Sequence, residues 1–229
     1  MGADADLYEL MRCAPSTRRF TDEPVPREAL HRALDNARFA PSGGNRQGWR
    51  VIVIEDAGTR RRLRELYEPH WAAYTEANGA RAALNAGPDS GLPPGRLRML
   101  QRADEFARTM DRVPLHLLVC VALDALAITD AALDRPSIVG GASVYPFVQN
   151  LLLALRAEGL GAAFTTLIVP AEAELRELLG IPPGIAVAGH IAAGRRADPW
   201  PKRLSRQPVD DFTFDERWGE PYRPPERGK

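Results

Sequence analysis

The segment Ala40-Pro41-Ser42-Gly43-Gly44-Asn45-Arg46-Gln47-Gly48-Trp49 constrains this chain more than any other stretch. It joins two patterns of different period. Before it, Leu30, Ala33, Leu34 and Ala37 recur at three and four, the single apolar stripe of a helix, and Pro26 suits that helix's first turn. After it, Val51, Ile52, Val53 and Ile54 follow one another, as in a buried strand running from Trp49. A glycine that stops the helix accounts for Gly43 or Gly44. It does not account for Ser42, Asn45 and Gln47 together. Glycines let backbone approach a ligand, and hydroxyl and amide side chains supply both donors and acceptors. The segment therefore suits a flat, polar, partly anionic small molecule.

Around it the chain alternates helical and extended patterns. Asp6 and Glu9 have capping-box spacing before a short helix ending near Cys13. Gly58 to Tyr67 reads as a basic-faced helix with Leu63 and Leu66 inward. From Glu68 to Arg112 the pattern loosens, and helical pieces flank Gly87-Pro88-Asp89-Ser90-Gly91-Leu92-Pro93-Pro94-Gly95. Residues 68–112 are expected to be either a mobile lid, centred on that loop, or a variable surface insertion. Pro114 to Leu123 is a second strand, and Asp124 to Pro136 a connector. Gly141 to Glu158 is a helix apolar almost all round, which places it centrally or at a subunit interface. Gly159-Leu160-Gly161 ends it, and Ala162 to Ile168 is a third strand. Pro170 and Glu172 open a helix to Leu179, and Ile185 to Ala193 is a fourth strand. Residues 195–229 have no periodicity but contain Trp200, Phe212, Phe214, Trp218 and Tyr222. Aromatics at that density need burial, so this extension is expected to drape over a neighbour. Repeats and linkers are absent, and the reading is a single α+β domain spanning residues 1–229.

Composition removes several function classes. Thirty Lys+Arg balance thirty Asp+Glu, so no chain-wide basic field invites nucleic acid. Cys13 and Cys120 form no CxxC, and the four histidines are scattered, so no metal site is expected and a reducing, cytoplasmic setting is. Met1 to Leu10 has no apolar signal region, and the apolar runs near Leu115–Leu123 and Leu151–Leu155 are too short to span a membrane. Gly159-Leu160-Gly161 resembles half a dinucleotide fingerprint but stands in helix-to-strand order, the reverse of what that fingerprint needs. No nucleophile elbow or phosphate-binding P-loop occurs. Gly140-Gly141-Ala142-Ser143 opens a helix, where it would serve as an anion site or simply as an N-terminal cap.

Two further segments concentrate polar chemistry. Ser16-Thr17-Arg18-Arg19 places hydroxyls and arginines at a helix-breaking turn, as a phosphate site requires. Lys202-Arg203-Leu204-Ser205-Arg206 is a compact basic cluster late in the chain.

Taken in order from about Ser16 to Trp218, these segments resemble the nitroreductase family of FMN-dependent NAD(P)H oxidoreductases. Ala40 to Trp49 looks like that family's A-P-S-x-x-N-x-Q-P-W block, and Ser16 to Phe20 is similar to its R-R-S-x-R-x-F. The Gly-Leu-Gly unit leading to Thr165-Thr166-Leu167 and the basic cluster before Pro208-Val209 complete the resemblance. It implies a central, mainly antiparallel sheet flanked by helices, with the C-terminal tail on a partner subunit. It also implies a homodimer with FMN at the interface. Carried over, Ser16 and Arg18 contact the phosphate end, assisted by Arg206 and by Lys202 or Arg203. Pro41, Ser42, Gly43 and Asn45 reach the flavin from the partner, with Gln47 supporting them. Thr165, Thr166 and Leu167 line the ring, with backbone N–H groups toward Ile168. The family's paired arginines are Ala14 and Pro15 here, and Gly48 stands for its proline, which is expected to loosen the approach to the strand.

The implied chemistry is ping-pong hydride transfer from NADH or NADPH through the flavin to a nitroaromatic, quinone or similar acceptor, without a catalytic acid–base triad. The same fold would also serve a natural-product dehydrogenase, a reductive dehalogenase or a flavin-consuming enzyme. A non-catalytic flavin-storage protein is the third reading.

Overall fold

In the computed structural model, residues 6–223 are described. The extremes of the expected domain and extension, residues 1–5 and 224–229, lie outside them. Strands β1 (Trp49–Ile54), β2 (Leu115–Ala122), β3 (Leu160–Thr165) and β4 (Ile185–Arg195) pair in the order β1-β2-β4-β3, every neighbour antiparallel. Seven α-helices accompany them among the described residues: α1 (Leu7–Cys13), α2 (Arg27–Ala37), α3 (Ala57–Ala77), α4 (Ala80–Ala86), α5 (Pro94–Thr109), α6 (Tyr145–Ala157) and α7 (Glu172–Leu179). This is the α+β arrangement expected from the sequence.

Strand alternation divides the core in two. Leu115, Leu117, Val119 and Val121 of β2 meet α2 and α6, whereas Leu118 and Cys120 face the layer of α3, α5 and α7. Every residue of β2 is buried because helices cover both faces. Each such leucine contributes about 1.5–3 kcal/mol relative to an exposed one. Two histidines lie inside this apolar sheet. His116 Nδ1 is 2.8 Å from His190 Nε2, and His116 Nε2 is 2.9 Å from the Met110 carbonyl oxygen. The neutral arrangement that satisfies both contacts has His116 Nε2–H donating to Met110 and His190 Nε2–H donating to His116. It leaves His190 Nδ1 unpartnered. Burial is the leading cause that lowers both pKa values, His116 to about 4 and His190 well below the ordinary histidine value.

Several boundaries differ from the sequence expectation. β1 is only half-buried, apart from exposed Arg50 and buried Ile54, because it is an edge strand. α3 runs past Tyr67 and through Pro69. A mid-helix proline costs about 3 kcal/mol, and burial of Leu63, Tyr67, Trp71 and Thr75, spaced every four residues, offsets it. Residues 68–112 therefore contribute to the core as well as the surface: Trp71, Phe106 and Met110 are buried. Asp104 ties this region together, accepting from Trp71 Nε1 at 2.9 Å and pairing with Arg81 Nη1 at 3.1 Å. α6 starts at Tyr145, because Val139–Ser143 forms a 3-10 turn. β3 starts at Leu160 and stops at Thr165. Asp6 does cap α1, accepting from the Tyr8 N–H at 3.0 Å.

The sheet gains one more contact beyond β3. Ser16 bridges Ala162 in parallel, and the Thr17 N–H donates to the Ala162 carbonyl at 2.8 Å. Gly161 makes room for this: a Cβ there would lie 2.6 Å from Thr17 Oγ1. Past β4 the chain returns over α1, with the Leu204 N–H donating to the Arg12 carbonyl at 2.8 Å. Its outer aromatics stay uncovered on this subunit: Trp218 is 91% and Phe212 60% exposed.

Candidate functional site

The short bridge to β3 positions Ser16 and Arg18. Ser16 is exposed, Thr17 is buried against Gly161, and Arg18 is half-buried. Arg18 sits close enough to Tyr67 of α3 for the two to act on each other electrostatically, and Tyr67 in turn lies near Thr165 at the end of β3. Desolvation is the main influence on the Arg18 guanidinium and holds its pKa below the usual arginine value. The Tyr67 phenol opposes this, and no carboxylate does. Burial likewise raises the Tyr67 pKa, with Thr165 and Arg18 working against it. After Thr165 the chain makes a local turn: the Leu167 N–H donates to Thr165 Oγ1 at 3.2 Å, and Thr166 is exposed. That N–H is thereby committed within the chain, which subtracts it from the backbone donors expected near the flavin ring.

Ser16 and Arg18 open onto different cavities. Ser16 lines a cavity of about 360 Å³ together with Gln149, Arg156, Phe164 and Arg206. Arg18 lines one of about 420 Å³ with Trp71, Tyr74, Arg96 and Met99, between α3, α4 and α5. The basic cluster also divides. Arg206 joins Ser16, Lys202 lies in a neighbouring cavity with Glu9, Arg12 and Cys13, and Arg203 faces an outer groove.

The 41–47 loop lies at the far side of the sheet, where it leads into β1. It is held by its own side chains. The Gln47 N–H donates to Ser42 Oγ at 3.0 Å, and Gln47 Nε2 donates to Asn45 Oδ1 at 3.1 Å. The Gly43 N–H donates to Ser143 Oγ at 3.1 Å, which gives the Gly140–Ser143 segment a role in bracing the loop. Asn45 and Gln47 both adopt positive φ, 54° and 50°, a conformation that non-glycine residues sustain only where their surroundings impose it. Pro41, Gly43, Asn45 and Gln47 are exposed, and Ser42 is half-buried. Gly48 does not loosen the approach to β1. It is buried, its carbonyl accepts from the Ala122 N–H at 2.9 Å, and a Cβ there would lie 2.5 Å from the Ala125 Cβ.

Within one chain these groups do not converge. From the bridge at Ser16 to β1 is four strand spacings, about 19 Å. The structure brings Ser16 to Arg206 and Arg18 to Tyr67, which lies near Thr165, and keeps the 41–47 loop apart from both. Tyr67, Arg156, Trp200 and Ser143 were not singled out as site residues in the sequence. Tyr67 read only as the last residue of a basic-faced helix, and Arg156 lies in a helix read for its apolar content, so packing is what reveals them.

Residues 15–195 match the nitroreductase family. Among curated proteins, an NADH dehydrogenase of Thermus thermophilus is 30% identical over 190 residues, covering 80% of this chain and 83% of that protein. An iodotyrosine deiodinase of Thermotoga neapolitana is 29% identical over 196 residues, covering 86% and 91%. Among solved structures, an oxidised iodotyrosine deiodinase bound to FMN and 3-iodo-L-tyrosine superposes with a TM-score of 0.66 at 24% identity. The match covers 92% of this chain and all of that one, a likeness of fold.

Proposed function

The chain belongs to the nitroreductase family of oxidoreductases, and on that premise we propose that it uses FMN to pass electrons from NADH or NADPH to an electron-poor aromatic acceptor. The observation that carries this reading is Arg18, a half-buried cation without a carboxylate partner among the described residues, set beside Tyr67. A desolvated guanidinium in that setting fits an anionic, hydrogen-bonding ligand. FMN has such groups at both ends, a phosphate and the pyrimidine edge of the ring. Ser16 and Arg206 share a cavity and serve the phosphate end. Arg18, linked to Thr165 through Tyr67, serves the ring edge, where its charge favours the reduced flavin.

The donor set on the 41–47 loop is too far from Ser16 to meet the same flavin in one subunit, which supports a homodimer with FMN between chains. Exposed Phe39 and Ile138, at 72% and 73%, and the outer aromatics of the C-terminal extension supply apolar surface for that contact. In the dimer, Pro41, Ser42, Gly43 and Asn45 reach the neighbour's flavin, Gln47 holds their loop, and the extension lies on the partner. Within residues 68–112, Trp71, Tyr74 and Met99 line the cavity beside Arg18 and form the acceptor side of the site. The chemistry supplied by bound flavin is hydride acceptance from the nicotinamide followed by electron delivery to a nitroaromatic, quinone or similar acceptor, in a ping-pong cycle. The protein's residues bind, orient and exclude water. A second reading, reductive dehalogenation of an aromatic substrate, is favoured by the similarity to the deiodinase of Thermotoga neapolitana.

The test begins with the visible spectrum of the purified protein. A flavin spectrum, or one regained on adding FMN, is expected; a protein that binds none ends the proposal. Anaerobic NADH or NADPH is expected to bleach the flavin, whereas persistent colour with both would favour a storage role. Arg18→Ala is expected to weaken binding of FMN and riboflavin alike by about 1.5–3 kcal/mol, the scale of a charge-assisted hydrogen bond, as read by flavin fluorescence titration. Halogenated and nitro-substituted aromatics, offered as acceptors to the reduced enzyme, separate the two readings.

A further inference from the structure

Arg156 is the most buried arginine singled out in the fold, with 4% of its surface exposed, and it has no ion pair among the described residues. It lies in the last turn of α6. Its Nη2 donates to the Cys13 sulfur at 3.4 Å, and its guanidinium carbon sits 3.7 Å from the centre of the Trp200 ring. Its Nε–H is buried without a partner. A thiol is a weak acceptor and an aromatic face satisfies no N–H in the guanidinium plane. The helix C-terminus favours a cation at this position but leaves that donor unused.

The unsatisfied guanidinium borders the cavity that contains Ser16, Gln149 and Arg206. No acidic residue lines that cavity, and Ala14 and Pro15 in the same wall bring no charge. On its other side Arg156 borders the cavity with Glu9, Arg12, Cys13 and Lys202, and forms no ion pair with Glu9. Arg196, close enough to act on Arg156 electrostatically, is already committed: its Nη1 donates to Thr17 Oγ1 at 3.3 Å and its Nε to the Pro199 carbonyl at 3.2 Å. Asp198, the nearby carboxylate, pairs with Arg19 at 2.8 Å. Set among apolar side chains, the polar groups on the cavity wall are thus a hydroxyl, an amide and two cations. It suits a small dianion such as a phosphate monoester, which presents several strong acceptor oxygens.

Resting on the flavin reading above, we propose that Arg156, held by Trp200, is a phosphate-binding residue of this site and sets its preference for FMN over riboflavin. Trp200 follows β4 in the chain, so the start of the C-terminal extension becomes part of the phosphate seat. Ser16 and Arg206 supply the remaining contacts.

The experiment is a fluorescence titration of the full-length homodimer, freed of flavin, with FMN and separately with riboflavin. For Arg156→Gln the FMN dissociation constant is expected to rise by about tenfold to a hundredfold, in line with one lost charge-assisted contact. Riboflavin binding is expected to stay within about twofold. Arg156→Lys, which keeps the charge without the planar fork, is expected to fall between. Equal losses for both flavins would make Arg156 a structural clamp on Trp200 and overturn the proposal, as would an unchanged FMN-to-riboflavin ratio. Should Arg156→Gln not fold, the ratio in Arg156→Lys decides by the same criterion. Inorganic phosphate alone provides an independent measurement: it is expected to raise the melting temperature of the wild type and not that of Arg156→Lys to the same extent. Equal stabilisation of the two overturns the assignment. A wild type that binds neither flavin fails the flavin reading itself, a result distinct from a wild type that binds FMN with Arg156 playing no part.

Discussion

Ser16–Arg18 and Ser42–Gln47 both present polar side chains from backbone that belongs to none of the α-helices or the four strands, yet they are fixed by different means. The first is attached to the sheet. Its Thr17 N–H bonds to β3, its Thr17 side chain fills the space left by Gly161, and Arg18 is flanked by Tyr67 from α3. The second holds itself mainly through Ser42 to Gln47 and Asn45 to Gln47, braced from outside by Ser143 on Gly43, by Arg46 on the Asp124 carbonyl and by Arg50 on the Gln47 carbonyl. A site segment attached to the core inherits the stability of the core. A self-bonded loop can be lost locally while the remainder stays folded. The difference suits a site assembled from two chains, in which one half is a fixed seat and the other is presented outward to a neighbour.

The largest expected effect acts on the core-attached half through acid. His116 and His190 are neutral inside the sheet, and β4 carries His190 directly opposite Thr165 of β3. In the unfolded chain these histidines protonate near the ordinary pKa of about 6.5, whereas in the folded chain His116 waits until about 4 and His190 also protonates well below the ordinary value. The unfolded state therefore binds more protons in this window. The stabilisation is complete above about pH 6.5 and is lost as pH falls. His116 alone accounts for a loss of about 3 kcal/mol by pH 4. Denaturant unfolding at pH 7.5 and 4.5 checks this, and replacing both histidines by a Leu pair is expected to flatten the acid limb. The loop's bonding groups, two amides and a hydroxyl, contribute nothing to it.

Next in size is Gly161→Ala. The added methyl meets Thr17 at 2.6–2.9 Å, and such overpacking costs about 1–3 kcal/mol. Global stability and FMN affinity are expected to fall together, because Thr17 and Ser16 move as one. A loss of stability with intact flavin binding would show that the bridge is not what positions the site.

The smallest effect sharpens the other half. Ser42→Ala removes the acceptor for the Gln47 N–H and is expected to cost about 1 kcal/mol. The change should appear as faster amide exchange at Gln47 and weaker flavin retention in the dimer, with little change in the global unfolding midpoint. A full shift of the midpoint would place the loop in the same cooperative unit as the sheet and erase the contrast.

Much of the frame follows from local sequence. The apolar stripe Leu30, Ala33, Leu34 and Ala37 specifies α2, and the run Val51 to Ile54 specifies β1, because apolar periodicity matches the backbone that can bury it. The turn chemistry of Ala40 to Trp49 marks a polar loop by composition alone. The sequence is less informative where burial is shared between distant segments. The extension of α3 through Pro69 rests on Tyr67, Trp71 and Thr75 meeting a core built partly by Phe106 and Met110. Nothing local to Pro69 announces it.

The same division runs through the site. Sequence by itself determined which residue types are available: Ser16, Arg18, the donors of residues 41–47, and a late basic cluster. Tertiary structure decided which of them share a cavity, because strand order and the two-faced core separate residues that lie close in the chain and join others that lie far apart. Ser16 and Arg18, two residues apart, open onto different cavities, while Ser16, Arg156 and Arg206 border one. Gly48 and Gly161, which read as a looser turn and a helix stop, are positions where packing leaves no volume for a Cβ. Excluded volume and unpaired charge are properties of neighbours in space, and that is the information a linear pattern does not carry.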